Sequence, residues 1–311
     1  MSTTVSGEAE AVRPTPTQGK VTDKTRAERK LGLMLCAPAV VMMLLVTAYP
    51  IIYAFILSLQ KKDLRFPGES GFVGLSNYAT VLGSGLWWQA VFNTAFITVV
   101  SVVIELVIGM GIAIIMHRAI FGRGVVRTAV LIPYGIVTVV AAFAWFYAFD
   151  PSSGFVNHLP LIPNDEAWFG GRFSSFAVII MAEIWKTTPF MALLLLAGLA
   201  TIDESLYEAA RVDGASAWQR FWRITLPLLK PALLVALLFR TLDAFRVFDS
   251  IFIMTKGAQN TESVSIVGYQ QLLSRLNLGL GSAVSVLIFL LVLMIATAFV
   301  KGFGTTVPKG S

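Results

Sequence analysis

Cysteine, histidine and charge are all scarce in this chain of 311 residues. Its one cysteine, Cys36, excludes an internal disulfide and any multi-cysteine metal centre. Cys36 lies a few residues into the first apolar run, too shallow for a lipid-attachment cysteine behind a signal segment, and reads as a packing residue. The two histidines, His117 and His158, fall in loops on opposite sides of the expected membrane, so no paired metal site follows, and no Ser/His/Asp or Cys/His set can assemble. The phosphate-loop pattern G-x-x-x-x-G-K followed by Ser or Thr is missing; Gly19-Lys20-Val21 does not match it. The chain is therefore not expected to hydrolyse ATP alone. Charged residues make up only 14%, where a soluble domain carries about a quarter.

What the chain has instead is apolar length. Hydrophobic residues reach 56% and mean hydropathy is +0.75. Six runs approach or exceed the roughly 20 residues that cross a hydrocarbon core. They lie at 31–59, 89–116, 125–149, 173–200, 224–254 and 282–300. Unpaired backbone groups in lipid cost several kcal/mol each, so helices are the only open-chain solution. The expectation is an all-α membrane protein of six transmembrane helices in one domain, 31–305. Flanking it are a polar tail, 1–30, too poor in apolar side chains to offset the entropy of ordering, and a C-terminal tail, 306–311.

The net charge of +6 raises the question of nucleic acid, but the positions of the cations answer it. Lys24, Arg26, Arg29 and Lys30 abut the first run, Arg118, Arg123 and Arg127 follow the second, and Arg211, Arg220 and Arg223 follow the fourth. These outnumber Lys61, Lys62, Arg65, Arg172, Lys256 and Arg275 in the alternate loops. Such a bias orients a multi-pass protein with both termini in the cytoplasm, and no nucleic-acid partner is expected.

Seven ionisable residues fall inside the runs: Glu105, Glu183, Lys186, Arg240, Asp243, Arg246 and Asp249. Each costs at least ~2.5 kcal/mol at mid-membrane, so each is expected to face protein or a water-filled cavity. Glu183 and Lys186 are one turn apart and can pair. Arg240, Asp243, Arg246 and Asp249 step by three with alternating sign, which permits neighbour pairing but spreads the row around a helix. Two readings stay open: ion pairs that fix packing, or a substrate path in which Glu183, Lys186, Asp243, Arg246 and Asp249 bond a polar solute. Trp145 and Tyr147, with Phe143 and Phe146, offer faces for stacking or an ordinary lipid-facing belt. Gly109 and Gly111 suit close helix packing.

One long segment, 201–227, does not suit lipid. Asp203-Glu204-Ser205 reads as a helix start with acids in the first turn. Leu206, Ala209, Ala210 and Val212 follow at helical spacing beside Glu208 and Arg211. Gly214 ends this helix, because glycine enters the left-handed conformation without cost. Ser216 can cap a second short helix carrying Trp218, Phe221 and Trp222, and Pro227 sits in the first turn of the fifth span. A short helix with small residues on one face suits a cleft in a cytoplasmic protein or, alternatively, the lipid surface.

Glu208-Ala209-Ala210, then Gly214, then Ile224-x-Leu226-Pro227 resembles the EAA loop of binding-protein-dependent ABC importer permeases. Gly74-Leu75-x-Asn77-Tyr78, Phe92-Asn93-Thr94, Trp185-Lys186-x-x-Pro189-Phe190 and the segment Asp243 to Asp249 are similar to carbohydrate-uptake permeases of the maltose/trehalose type. This resemblance implies a coupling role for Glu208, Ala209, Ala210, Gly214, Leu226 and Pro227. It further implies a second homologous permease subunit, two ATPase subunits that bind the ATP and Mg, an extracytoplasmic sugar-binding protein or lipoprotein, and a disaccharide such as trehalose as cargo. No cofactor is expected in this chain. A proton-coupled secondary sugar transporter, using Glu105, Glu183 or Asp243, is the alternative.

Overall fold

A computed structural model describes residues 23–118, 123–160 and 167–303. The chain divides into two units, Met1–Tyr53 and Ala54–Ser311. In the first unit the helix α1, Asp23–Ser58, is already under way. Residues 23–30, expected in the tail, are thus its first two turns: a helix nucleated in the apolar run propagates at little cost through Lys, Arg and Glu. Cys36, expected to pack, is exposed. Positions 1–22 and 306–311 of the two expected tails lie outside the described residues.

In the second unit two short antiparallel strands, β1 (Gln60–Lys61) and β2 (Gly71–Phe72), precede α2, Ser76–Leu82. The spans α3, Gly85–Arg118, and α6, Arg172–Leu199, form the centre, with α4 (Arg123–Gly135) and α5 (Thr138–Ala148) between them in sequence. After α6 come α7 (Glu204–Val212), α8 (Ala217–Arg220), a π-helical turn at Phe221–Thr225, and α9 (Leu226–Ala244). The chain closes with α10 (Asp249–Met254), α11 (Val264–Tyr269) and α12 (Leu278–Phe303). Five of these stretches are long and apolar enough to cross a membrane. The pair α4 and α5 makes a sixth only as a broken span, bent by 86°. The six expected runs therefore all appear, but two are not straight. Pro133, Gly135 and the short Ile136–Val137 link interrupt the third. The fifth stops at Ala244 and restarts at Asp249.

Packing explains why α3 and α6 sit at the centre. Ile97, Ala113 and Met116 of α3 and Ile179, Met191 and Leu195 of α6 are almost fully buried. Gly109 brings the helices together: a Cβ there would sit 2.9 Å from Met191 Cγ. Gly198 does the same for α9, where an added Cβ would collide with Ala232 and lie 2.7 Å from Leu229 Cδ1. Gly111 has nothing within 4 Å and plays no such part. Large apolar side chains such as Val107, Phe173 and Leu293 remain exposed along the outer faces, as a bundle solvated by lipid requires.

Candidate functional site

The charges inside the spans converge. Arg240 on α9, 1% exposed, donates through Nε and Nη2 to the two carboxylate oxygens of Glu105 on α3, at 2.5 and 3.0 Å. The same Nη2 reaches Glu183 of α6 at 3.5 Å, and Nη1 donates to Asp243 at 2.8 Å. Thr187 Oγ1 donates to Glu105 at 2.8 Å, and Ser250 Oγ donates to Glu183 at 2.5 Å. A two-pronged guanidinium–carboxylate contact is the strongest pairing available to these groups; here it joins α3 to α9, and the Glu183 contact adds α6. The expected Glu183–Lys186 pair does not form among the described residues. Lys186 Nζ instead donates to the Ile136 carbonyl, at 2.8 Å, in the gap between α4 and α5. Broken backbone needs a partner for its freed carbonyls, and an ammonium from the neighbouring span supplies one. Phe190, one turn on, stacks on Tyr134 at 5.3 Å, and Lys186 lies 5.8 Å from the same ring.

A cavity of 410 Å³ opens beside this network. Glu183, Lys186, Asp243, Arg246 and Asp249 all line it, so five of the sequence-derived path residues meet in one place. Of the alternating row, Arg240 and Asp243 pair, whereas Arg246 and Asp249 form no ion pair among the described residues. The break at 245–248 is the reason: it turns both side chains out of the helical register the row assumed and into the cavity. Trp145 and Tyr147 are not brought there. Trp145 packs in the core against Phe149 and Trp185, with ring centroids at 5.6 and 6.1 Å. Tyr147 is exposed and stacks on Phe143. The aromatic groups that do line the cavity are Tyr134 and Phe248, with Thr138 and Thr187 as hydroxyls. Sequence periodicity had no means of finding Tyr134 and Thr138, because their position depends on the 86° bend. The arrangement offers both donors and acceptors in an apolar bundle, which suits a polyhydroxylated solute.

At the other end of α6 lies the charged insert. Asp203 caps α7 by accepting from the Ser205 backbone N–H at 3.0 Å, a bond that holds its carboxyl below the ordinary aspartate value. Gly214 has φ +76°, the left-handed turn expected of it. Ser216 and Gln219 form a reciprocal capping box on α8. Glu208, Ala209, Gly214 and Pro227 are exposed, and Ala210 and Leu226 half-buried. Tyr207 and Thr225 hydroxyls lie 3.0 Å apart and tie α7 to the start of the fifth span. The π-helical turn makes α8 and α9 one continuous element, with no loop between them.

Other motif residues hold the opposite loops. Asn77 Nδ2 donates to the Ser58 and Gln60 carbonyls, and the hydroxyls of Tyr78 and Ser58 are 2.6 Å apart. Asn93 donates to the Asn260 and Glu262 carbonyls and accepts from Arg172, while Thr94 accepts from the Val264 N–H.

Residues 105–304 match the family described as binding-protein-dependent transport system inner membrane component. The chain is 54% identical over 289 residues to the trehalose transport system permease protein SugA of Mycobacterium tuberculosis, covering 93% of this chain and 94% of that protein. It is 42% identical to the trehalose/maltose transport system permease protein MalF of Thermococcus litoralis, over 88% of this chain and 94% of the other. The fold matches a bacterial ABC transporter involved in the import of the acidic polysaccharide alginate, with TM-score 0.77 and 23% identity over 91% of this chain and 98% of that one. With the family region spanning both the buried network and the charged insert, this chain belongs to the inner-membrane permease components of binding-protein-dependent ABC importers, of the maltose/trehalose type.

Proposed function

We propose that the chain is one permease subunit of an ATP-driven importer for a disaccharide of the trehalose kind. The observation that carries the reading is the 410 Å³ cavity at the two helix breaks, in which Glu183, Lys186, Asp243, Arg246 and Asp249 meet. These groups supply donors and acceptors for sugar hydroxyls inside an otherwise apolar bundle. The SugA and MalF relatives, named for trehalose and trehalose/maltose transport, support that class of cargo. The insert at 201–227 is the coupling element. Glu208 pairs with a basic group at the rim of a groove on a separate ATPase, Ala209 and Ala210 permit close approach, and Gly214 sets the turn; Leu226 and Pro227 lead into α9.

In this scheme two ATPase copies bind ATP and Mg, and this chain holds no cofactor. A second, homologous permease completes the membrane part. An extracytoplasmic sugar-binding protein docks on the loops held by Asn77 and Asn93. One related solved transporter is described in complex with a pentasaccharide-bound periplasmic protein, which supports such a partner. Both termini lie in the cytoplasm. Closure of the ATPase pair moves α7, α8 and α9 as a unit and opens the cavity outward. The proton-driven reading finds no support in these relatives.

The test is uptake of labelled trehalose by cells expressing the complete importer, with unlabelled trehalose, maltose and glycerol phosphate as competitors. Trehalose is expected to compete best. Glu208→Ala and Gly214→Val are expected to abolish uptake while the chain remains in the membrane. Uptake retained in both variants with the ATPase still bound would refute the coupling role.

A further inference from the structure

We propose that a cleft beneath the inner face of α7 is a binding site for a phosphate-bearing anion. The cleft has a volume of 500 Å³ and lies between the C-terminal end of α3, the end of α6 and the α7–α8 insert. Glu204, Tyr207 and Arg211 line it from α7, at the spacing of one helical face, and Glu208 is not among its lining residues.

The charge of the cleft is one-sided. Arg118, Arg211 and Arg220 all line it, and Glu204 is the one carboxylate among its lining residues. That carboxylate is engaged by Arg211 Nη2 at 3.3 Å. Arg220 directs Nη1 to the Ala215 carbonyl, and Arg118 forms no ion pair among the described residues. The cavity at mid-span is different, because its cations stand beside three carboxylates. Arg118 and Arg220, guanidinium groups with no carboxylate partner among the described residues, favour an oxyanion in a concave site, and their planar donor fork matches phosphate oxygens in pairs. The Tyr207 and Thr225 hydroxyls add neutral donors at the wall. A metal cation is repelled by the same charge, and a neutral sugar leaves the guanidinium groups uncompensated. The phosphate can come from an anionic lipid headgroup of the adjoining leaflet or from a soluble phosphate. In either case it bridges α3 to the insert and so stiffens the element that connects to α9. The inference stands on the cleft alone and does not require the cargo or the coupling role proposed above.

The experiment measures thermal unfolding of the purified full-length chain in two arms. In the first, inorganic phosphate is titrated in neutral detergent against chloride at matched ionic strength. In the second, nanodiscs of phosphatidylcholine are compared with nanodiscs containing phosphatidylglycerol. The unfolding midpoint is expected to rise with phosphate over chloride, with phosphatidylglycerol over phosphatidylcholine, or with both, and the responding arm identifies the source. Arg118→Gln, an exposed position whose loss breaks no ion pair among the described residues, is expected to raise the concentration for half-maximal stabilisation about tenfold, the effect of one charged hydrogen bond. Arg223→Gln, an exposed arginine outside the cleft, is expected to leave it unchanged. No rise in either arm, or equal weakening by the two substitutions, overturns the proposal.

Discussion

Replacing Arg240 by methionine removes the centre of the buried ion network while keeping most of the side-chain volume. In the native chain the guanidinium is 1% exposed and touches Glu105, Glu183 and Asp243 at 2.5–3.5 Å. Glu105, fully buried, would be left with the Thr187 hydroxyl, and Glu183, also buried, with Ser250. Removing one partner of a buried pair strands the other charge and costs about 3–5 kcal/mol. At roughly 2–4 °C per kcal/mol, the unfolding midpoint should fall by roughly 6–20 °C. The assay is thermal unfolding of the purified chain in detergent, followed by tryptophan fluorescence. The decisive comparison adds Glu105→Gln to Arg240→Met. Neutralising the stranded carboxylate should recover part of the loss, so the double variant should be more stable than Arg240→Met alone. If the single variant moves the midpoint by less than about 2 °C, or the two losses simply add, the charges are independent and the network does not clamp α3, α6 and α9. Asp243→Asn provides the contrast. Its side chain is 71% exposed, so stability should change by under about 1 kcal/mol while sugar uptake falls.

Three further outcomes follow from the geometry. Gly198→Ala should cost about 1–3 kcal/mol by prising α9 from α6, whereas Gly111→Ala, with open space around it, should be neutral or slightly stabilising in the same unfolding assay. Lys186→Met leaves the Ile136 carbonyl at the elbow without its donor; about 0.5–1.5 kcal/mol of stability and most uptake should be lost, and Lys186→Arg should restore more of both than Met does. The third concerns pH. Hydrogen bonds from the Ser152 hydroxyl, and from the Ser153 backbone N–H and hydroxyl, hold Asp150 at about 2, below the ordinary 3.8. A depressed carboxyl contributes fully above 3.8 and loses its contribution as pH falls towards about 2. Limited proteolysis with an acid-active protease should therefore find the turn at 150–154 equally protected at pH 7 and pH 5, with cleavage rising only below about pH 4. Early cleavage near pH 5 would contradict the assignment.

How much of this was legible in the residues depends on range. Hydropathy summed over a window located all six apolar runs, because lipid solvation is a property of composition and length. Local backbone chemistry was equally readable: Asp203, Gly214 and Ser216 act on groups within three residues of themselves, and each does what its type dictates. The spacing from Glu208 to Pro227 was enough to point to the family that the relatives show. Tertiary structure decided where the third and fifth spans break, since summed hydropathy is blind to a bend. It also chose the partners of the buried charges. Helical spacing offered Lys186 to Glu183, yet Lys186 went to a broken backbone 50 residues away, and Arg240 took Glu105 from 135 residues away. In a medium without water every buried charge and freed carbonyl must be satisfied by whatever lies closest in space, and a linear pattern does not record that proximity.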